Sequence, residues 1–436
     1  MVPQSGNIEF ERGVTYHAGM HRQLVLLALI GCSGDAPPSA VDAPVVADGG
    51  ACLGTSATCE GDVFTTCVAA GETPVQESCG WGCETIGCKR VTPTGGAAAR
   101  ADVFPLALGA FAELSVSGVI DGSTGRINGV AASAMNVDYQ LINGIAVFRF
   151  KLLAIGGLKL QGTVPIQLIS DGPLTVDGTL DATGSCGIGS PDLAGAGGGN
   201  GGQTAGTTGA LIGGGIGGPG GGGGAGWGGV GGATGAGAPG GLSSGEPAVL
   251  VLRGGAGGGA GVGSTTFQGG GGGGAIQLVS NTSITIAAAG NINAGGCGGR
   301  KGTAADDEGG GGGAGGTIVL EAPVVTLATG RVLAVNGGGG GGGGAGATDG
   351  GAGQLSRNAA VGGNAGTTGG TGGAGAAGAV IDGAAGGAGT LAGGGGGAIG
   401  RIRINTRGGA ATIDGVMSPA FDDPNTTATQ GTATLP

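Results

Sequence analysis

The sequence predicts an all-β chain: a parallel β-helix-like solenoid with long Gly-rich inserts, preceded by a small disulfide-rich module. Three observations point there. A pattern of three short apolar pieces recurs four times between residues 166 and 417. Glycine reaches 119 of 436 residues, far above the usual ~7%, and gathers between those copies. Six cysteines crowd into residues 52–88, an even count in too short a span to bury a core of its own.

The chain opens with a leader over residues 1–31. The basic pair His21-Arg22 precedes an apolar run, residues 24–30, that ends in Leu29-Ile30-Gly31-Cys32. The run falls short of the ~20 residues that span a bilayer, and its charged start and small residues describe an export signal. Met20 is the expected start, because Met20-His21-Arg22 makes a compact basic opening. Leu29-Ile30-Gly31-Cys32 resembles the lipobox of bacterial lipoproteins. That resemblance implies lipidation at Cys32, a membrane partner reached through the lipid, and, with Ser33 next, an outer-membrane or cell-surface location. Residues 32–51, rich in Ala, Pro, Val and Asp, read as a flexible tether.

The module spans residues 52–88, with Cys52, Cys59, Cys67, Cys79, Cys83 and Cys88. Six cysteines allow 15 pairings, and the sequence does not choose among them. Zinc is the competing reading. It would want paired Cys-x-x-Cys or Cys-plus-His spacing, and the closest pair here is Cys79-x-x-x-Cys83 with no His downstream. Cys59-Glu60-Gly61, Cys67 with Gly71, and the run from Cys79 through Trp81 and Cys83 to Cys88 resemble a Cys-rich module recurrent in surface lipoproteins of myxobacteria. The resemblance covers this module alone and implies no chemistry. An aromatic that often precedes the fourth Cys of such modules is missing from residues 72–78, or replaced by Trp81.

A linker, residues 89–101, leads to the expected solenoid at 102–418, with 419–436 as a tail. The four copies begin Ile166-Gln167-Leu168, Ile276-Gln277-Leu278, Ile318-Val319-Leu320 and Ile402-Arg403-Ile404. Each continues with a piece centred on Thr175, Thr285, Thr326 or Thr412, then a third holding Leu180, Ile292, Leu333 or Met417. The period-2 alternation predicts strands with one buried face, and a single such coil needs stacked neighbours. A β-sandwich of hairpins is the alternative. A half-copy at Ala248-Val249-Leu250-Val251-Leu252 reads as one more strand, and Phe148 and Phe150 as caps of the open end. Cys186 and Cys297 follow the third strands of adjacent copies, so stacking predicts a disulfide between them.

The inserts are read as 187–245, 295–316 and 337–397. They leave at one corner of the stack and are expected to lie side by side. Ordering Gly costs about 0.5–1 kcal/mol more than ordering Ala, which favours disorder. Against this, the inserts hold Ala and Thr rather than Ser and charge. Extended polyglycine II helices, three residues per turn with about 3.1 Å rise, are then the ordered reading. In composition the inserts resemble the Gly-rich sandwiches of phage tail adhesins and the Gly-Ala-rich surface proteins of mycobacteria. Trp227 and Phe267 are the candidate contact residues, with plugs of the bundle as the plainer reading.

The net charge of -11 and the absence of a basic patch argue against a nucleic-acid partner. Processing leaves that charge unchanged, since Glu9 and Glu11 balance Arg12 and Arg22. Both histidines, His17 and His21, lie in the leader. Gly241-Leu242-Ser243-Ser244-Gly245 matches G-x-S-x-G, but that elbow needs a His base. The Asp306-Asp307-Glu308 cluster beside Arg300-Lys301 reads as a solvated loop tip rather than a metal site. Glycosidases need two carboxylates across a cleft. Asp177 and Asp181, with Asp414 equivalent to Asp177, are the repeated candidates, and Asp-Gly turns explain them equally well. The expected role is adhesive or structural and non-catalytic, without catalytic residues, metal or cofactor, with surface polysaccharide or another cell surface as partner. A carbohydrate-active β-helix enzyme and a passive envelope component are the alternatives.

Overall fold

The computed structural model describes residues 51–84, 87–95, 112–187, 193–264, 268–287 and 289–435. Within them the chain is all-β, with a disulfide-rich module followed by large, mostly parallel sheets. In the module β1 (Ser56–Glu60), β2 (Val63–Cys67) and β3 (Val75–Ser78) form an antiparallel sheet, and β4 (Cys83–Glu84) pairs with β5 (Gly87–Cys88). Disulfides Cys52–Cys67, Cys59–Cys83 and Cys79–Cys88 staple it.

The main body opens with β6 (Glu113–Asp121), β7 (Arg126–Ile127), β8 (Val130–Ala131), a 3-10 turn at Ala132–Met135 and β9 (Asp138–Ile142). Then come β10 (Ile145–Phe150) and the long β11 (Leu152–Gln161). Four triplets follow: β12 (Ile166–Ser170), β13 (Leu174–Val176) and β14 (Thr179–Asp181); β15 (Ala275–Ser280), β16 (Ser283–Ile286) and β17 (Asn291–Asn293); β18 (Thr317–Glu321), β19 (Val324–Leu327) and β20 (Val332–Ala334); β21 (Arg401–Thr406), β22 (Thr412–Ile413) and β23 (Val416–Ser418). β24 (Ala428–Thr432) closes the chain.

Like strands of successive triplets pair in parallel, residue on residue, as the sequence alignment predicts. Ile166, Ile276, Ile318 and Ile402 stack in one ladder. Thr175, Thr285, Thr326 and Thr412 stack in the second, and Leu180, Ile292, Leu333 and Met417 in the third. β10 and the two halves of β11 add one more layer, pairing with β12, β13 and β14. The apolar side chains of all three ladders share one buried core. Alternation puts them on one face of each strand, and burial of that face fixes the register.

Several sequence expectations need correction. Ala248 to Leu252 is not a strand: Val249 has φ +50°, incompatible with a pleated strand. Val249 and Leu252 instead cover the outer side of the first ladder, packing with Ile169, Val279 and Val319. That ladder is therefore buried on both faces. Phe148 and Phe150 are interior, not caps. β9 pairs outside β10, and Ile127, Ala132 and Val137 complete the core there. The expected tail holds β24, which pairs with β21. The near part of the linker is structural too: Val91 is buried and Thr92 bridges to Thr434. The segment between β14 and β15 is one insert over residues 182–274, longer than the sequence suggests. The other two occupy 294–316 and 335–400.

The described residues of the inserts are ordered, which sets aside the disordered reading for them. All three leave from the third ladder and return to the first, and they bond to one another through their backbones. The N–H groups of Gly309, Gly312 and Gly315 donate to Ala392, Gly395 and Ala398. Those of Gly310, Gly313 and Gly316 donate to Arg300, Cys297 and Ala294, and those of Gly311 and Ala314 to Gly259 and Ala256. Each neighbour is addressed at every third residue, the period of an extended three-residue-per-turn helix. The packing needs glycine, because a Cβ on Gly313 would sit 2.1 Å from the carbonyl oxygen of Gly271. Cys186–Cys297 joins the first insert to the second, as the stacking argument predicts.

Candidate functional site

The carboxylates singled out in the sequence do not converge on a cleft. Asp177 and Asp414 are exposed. Asp181 is tied into the fold: its Oδ2 pairs with Lys159 Nζ at 2.9 Å, and its Oδ1 accepts from Thr183 N and Oγ1 at 2.8 and 2.7 Å. Ser243 of the G-x-S-x-G match lies exposed on a loop, outside any strand-to-helix turn. Cys32 and Phe267 lie outside the described residues.

The acidic cluster is not a solvated tip. Asp307 and Glu308 are buried, and both collect backbone N–H groups. Asp307 accepts from Ser264 N, Thr303 N and Ala304 N. Glu308 accepts from Gly220 N at 2.7 Å and Gly221 N at 2.8 Å. They satisfy donors left over where glycine segments turn, since buried backbone N–H groups require partners. Arg300 pairs with Asp349. Among the described residues no group of His, Cys, Asp or Glu side chains is arranged to hold a metal ion.

A polar network that the sequence reading missed lies on the outer side of the first ladder. Glu321 is fully buried. Its carboxylate accepts from Thr94 N and Oγ1, both at 3.0 Å, from Gln277 Nε2 at 2.5 Å and from Asn405 Nδ2 at 2.7 Å. Gln167 donates to Gln277 at 2.9 Å, and Arg403 Nε to Asn405 Oδ1 at 2.7 Å. Burial pushes the Glu321 pKa up, against the lowering by its donors. A charged residue directly after the apolar run Ile318-Val319-Leu320 was the available signal.

Trp227 is buried, with its indole Nε1 donating to Thr317 Oγ1 at 3.0 Å. Thr317 Oγ1 in turn donates to the Arg253 carbonyl at 2.6 Å. Thr317 is the strand partner of Arg401, so insert, ladder and the segment around Arg253 meet here. A cavity of about 300 Å³ opens at this junction, lined by Trp227, Glu246, Val249, Leu250, Arg253 and Arg401 among others. Arg401 is 6% exposed. Its Nη2 donates to the carbonyls of Ser244 and Gly245, both at 3.0 Å, while its buried Nε has no hydrogen-bond partner. Burial lowers the Arg401 pKa. Arg253 and Arg401 lie some 150 residues apart in the chain, so no local motif announces the cavity. No protein-family model matches the chain, and no curated protein or solved structure matches it either.

Proposed function

We propose that this chain is a lipid-anchored structural protein of a bacterial cell surface, acting without catalysis. In this reading the three parallel ladders are the faces of a β-helix. The inserts form a polyglycine II slab fused along one corner, and Cys32 with residues 32–51 tethers the assembly to the outer membrane. The observation that carries the structural role is the period-three backbone bonding among the inserts. Such bonding spends the glycine on a rigid solid, where a flexible contact loop would leave its backbone to water. The carboxylates tied into the fold at Asp181, Asp307 and Glu308 support the same reading.

The carbohydrate-active alternative draws on one observation, the Trp227 cavity with Glu246 and two arginines. It supplies one carboxylate where glycoside hydrolysis ordinarily uses two. The test is to incubate the purified chain with envelope polysaccharides and assay released sugar, and separately to express Cys32→Ser. The proposal expects no released sugar and a Cys32→Ser protein that leaves the membrane fraction. Released sugar overturns the non-catalytic role, and membrane retention of Cys32→Ser overturns the anchor.

A further inference from the structure

We infer that the cavity bounded by Trp227, Glu246, Leu250, Arg253 and Arg401 is a binding site for a carboxylated sugar, the uronic-acid unit of an acidic polysaccharide. Three features of the cavity select that chemistry. The first is an excess of positive charge, two arginines to the one carboxylate of Glu246. Among the described residues no carboxylate lies within ion-pair distance of Arg253 or Arg401, in a chain whose net charge is -11. Arg401 is buried with its Nε unpartnered, a state that leaves donor capacity unused at a desolvation cost. A guanidinium matches the planar, two-oxygen geometry of a carboxylate, and Arg253 is the one placed to present that fork, because Arg401 Nη2 is committed to the Ser244 and Gly245 carbonyls and its Nε is covered.

The second feature is the mixed lining. Val249 and Leu250 give an aliphatic wall against which the C–H face of a sugar ring packs. Glu246 on the same cavity offers an acceptor for hydroxyl groups, and it would repel a second anion. Arginine and glutamate together therefore fit a hydroxylated monoacid better than a multiply charged phosphate. The third feature is size and continuation. About 300 Å³ is at the lower end of ligand cavities and suits one sugar unit. Val251 and Arg253 also line a second cavity of about 460 Å³, which runs past Leu211, Pro165 and Asn143. Because the two cavities share Val251 and Arg253, an oligomer is the form of ligand that would reach both. The geometry is also held in place, since the Trp227–Thr317–Arg253 hydrogen bonds fix the floor.

This assignment rests on the surface-protein reading for its choice of ligand, and its test is separable from that reading. Trp81 and Trp227 are the only tryptophans, so a full-length Trp81→Phe chain reports on Trp227 alone. Its emission would be followed during titration with a trigalacturonate, with galacturonic acid, with an uncharged maltotriose and with octanoate. The expected result is a saturable change with trigalacturonate, weaker binding of the monomer, and none with maltotriose or octanoate. Arg253→Gln, whose side chain makes no structural hydrogen bond among the described residues, should weaken trigalacturonate by about tenfold or more, with Arg253→Lys intermediate. Circular dichroism identical to the parent would certify the fold of each variant. Equal binding of maltotriose, preference for octanoate, no response to trigalacturonate, or an unchanged affinity in a folded Arg253→Gln would each overturn the assignment. Sugar released during the same titration would sink the non-catalytic role and leave the binding site standing. Absent binding would leave the structural role untouched.

Discussion

Glu321 is the residue at which burial and hydrogen bonding compete most openly. Four donors converge on its carboxylate, yet complete burial still raises its pKa. The folded chain therefore holds a proton that the unfolded chain has already released, at pH values above the ordinary carboxylate range. Stability from this group is full below the unfolded pKa and falls as pH rises through the raised folded value. Thermal unfolding of the wild type and Glu321→Gln, compared from about pH 4 to about pH 7, should show the wild type losing ground steadily as pH rises. A pH-independent difference between the two would mean that the donors, not burial, set the state of the carboxylate. Gln277 and Asn405 stay amides throughout, so the pH dependence belongs to Glu321 and to the ionic groups nearby, Arg403 among them.

At the scale of elements, much of the architecture was legible in the sequence and the reasons are physical. Period-2 alternation exposes strands wherever one face is buried, so the stacking of Thr175, Thr285, Thr326 and Thr412 could be read from the sequence alone. The same logic failed at residues 248–252, because apolar spacing reports burial and not conformation. That segment lies on the outside of a ladder and packs through Val249 and Leu252. It failed again at Asp307 and Glu308, where charge suggested solvent and the actual partners are glycine-segment amides. The cavity residues were illegible because folding brings them together from three distant stretches. Within the glycine inserts the sequence left order and disorder open, and the structure resolves this through sterics as much as through hydrogen bonds. Gly313→Ala would force a Cβ to 2.1 Å from a backbone oxygen, which cannot move without displacing a neighbouring segment. Overpacking of this kind costs about 1–3 kcal/mol or more. Gly408, in a turn with nothing within 4 Å of its would-be Cβ, should accept alanine with a change of about 0.5 kcal/mol or less. Denaturant unfolding of the two variants gives the comparison, and similar midpoints would mean that the inserts yield where they are drawn tight.

For the molecule as a whole, the decisive issue is whether module, ladders and inserts open together. The module is fastened to the main body at several points: Trp81 joins the outer cluster over the first ladder, and Arg407 holds Asp62 through two hydrogen bonds at 2.7 and 2.8 Å. The inserts are fastened more densely still. Gly316 and Thr317 are consecutive, one bonded within the inserts to Ala294 and the other, at the start of β18, to Gly274, so the hydrogen-bond lattice runs into the ladder without a boundary. Amides with a shared lattice have no low-cost local opening, and exchange of such amides is limited by the opening of the whole cooperative unit. The N–H groups of residues 309–316 should therefore exchange as slowly as those of Ile318, Val319 and Leu320 in β18, and both sets should respond in parallel to added denaturant. Glycine amides that exchange much faster than β18, with no denaturant dependence, would make the inserts a separately opening layer. The rigid-solid role would then fail, because a slab that opens on its own cannot brace the ladders it grows from.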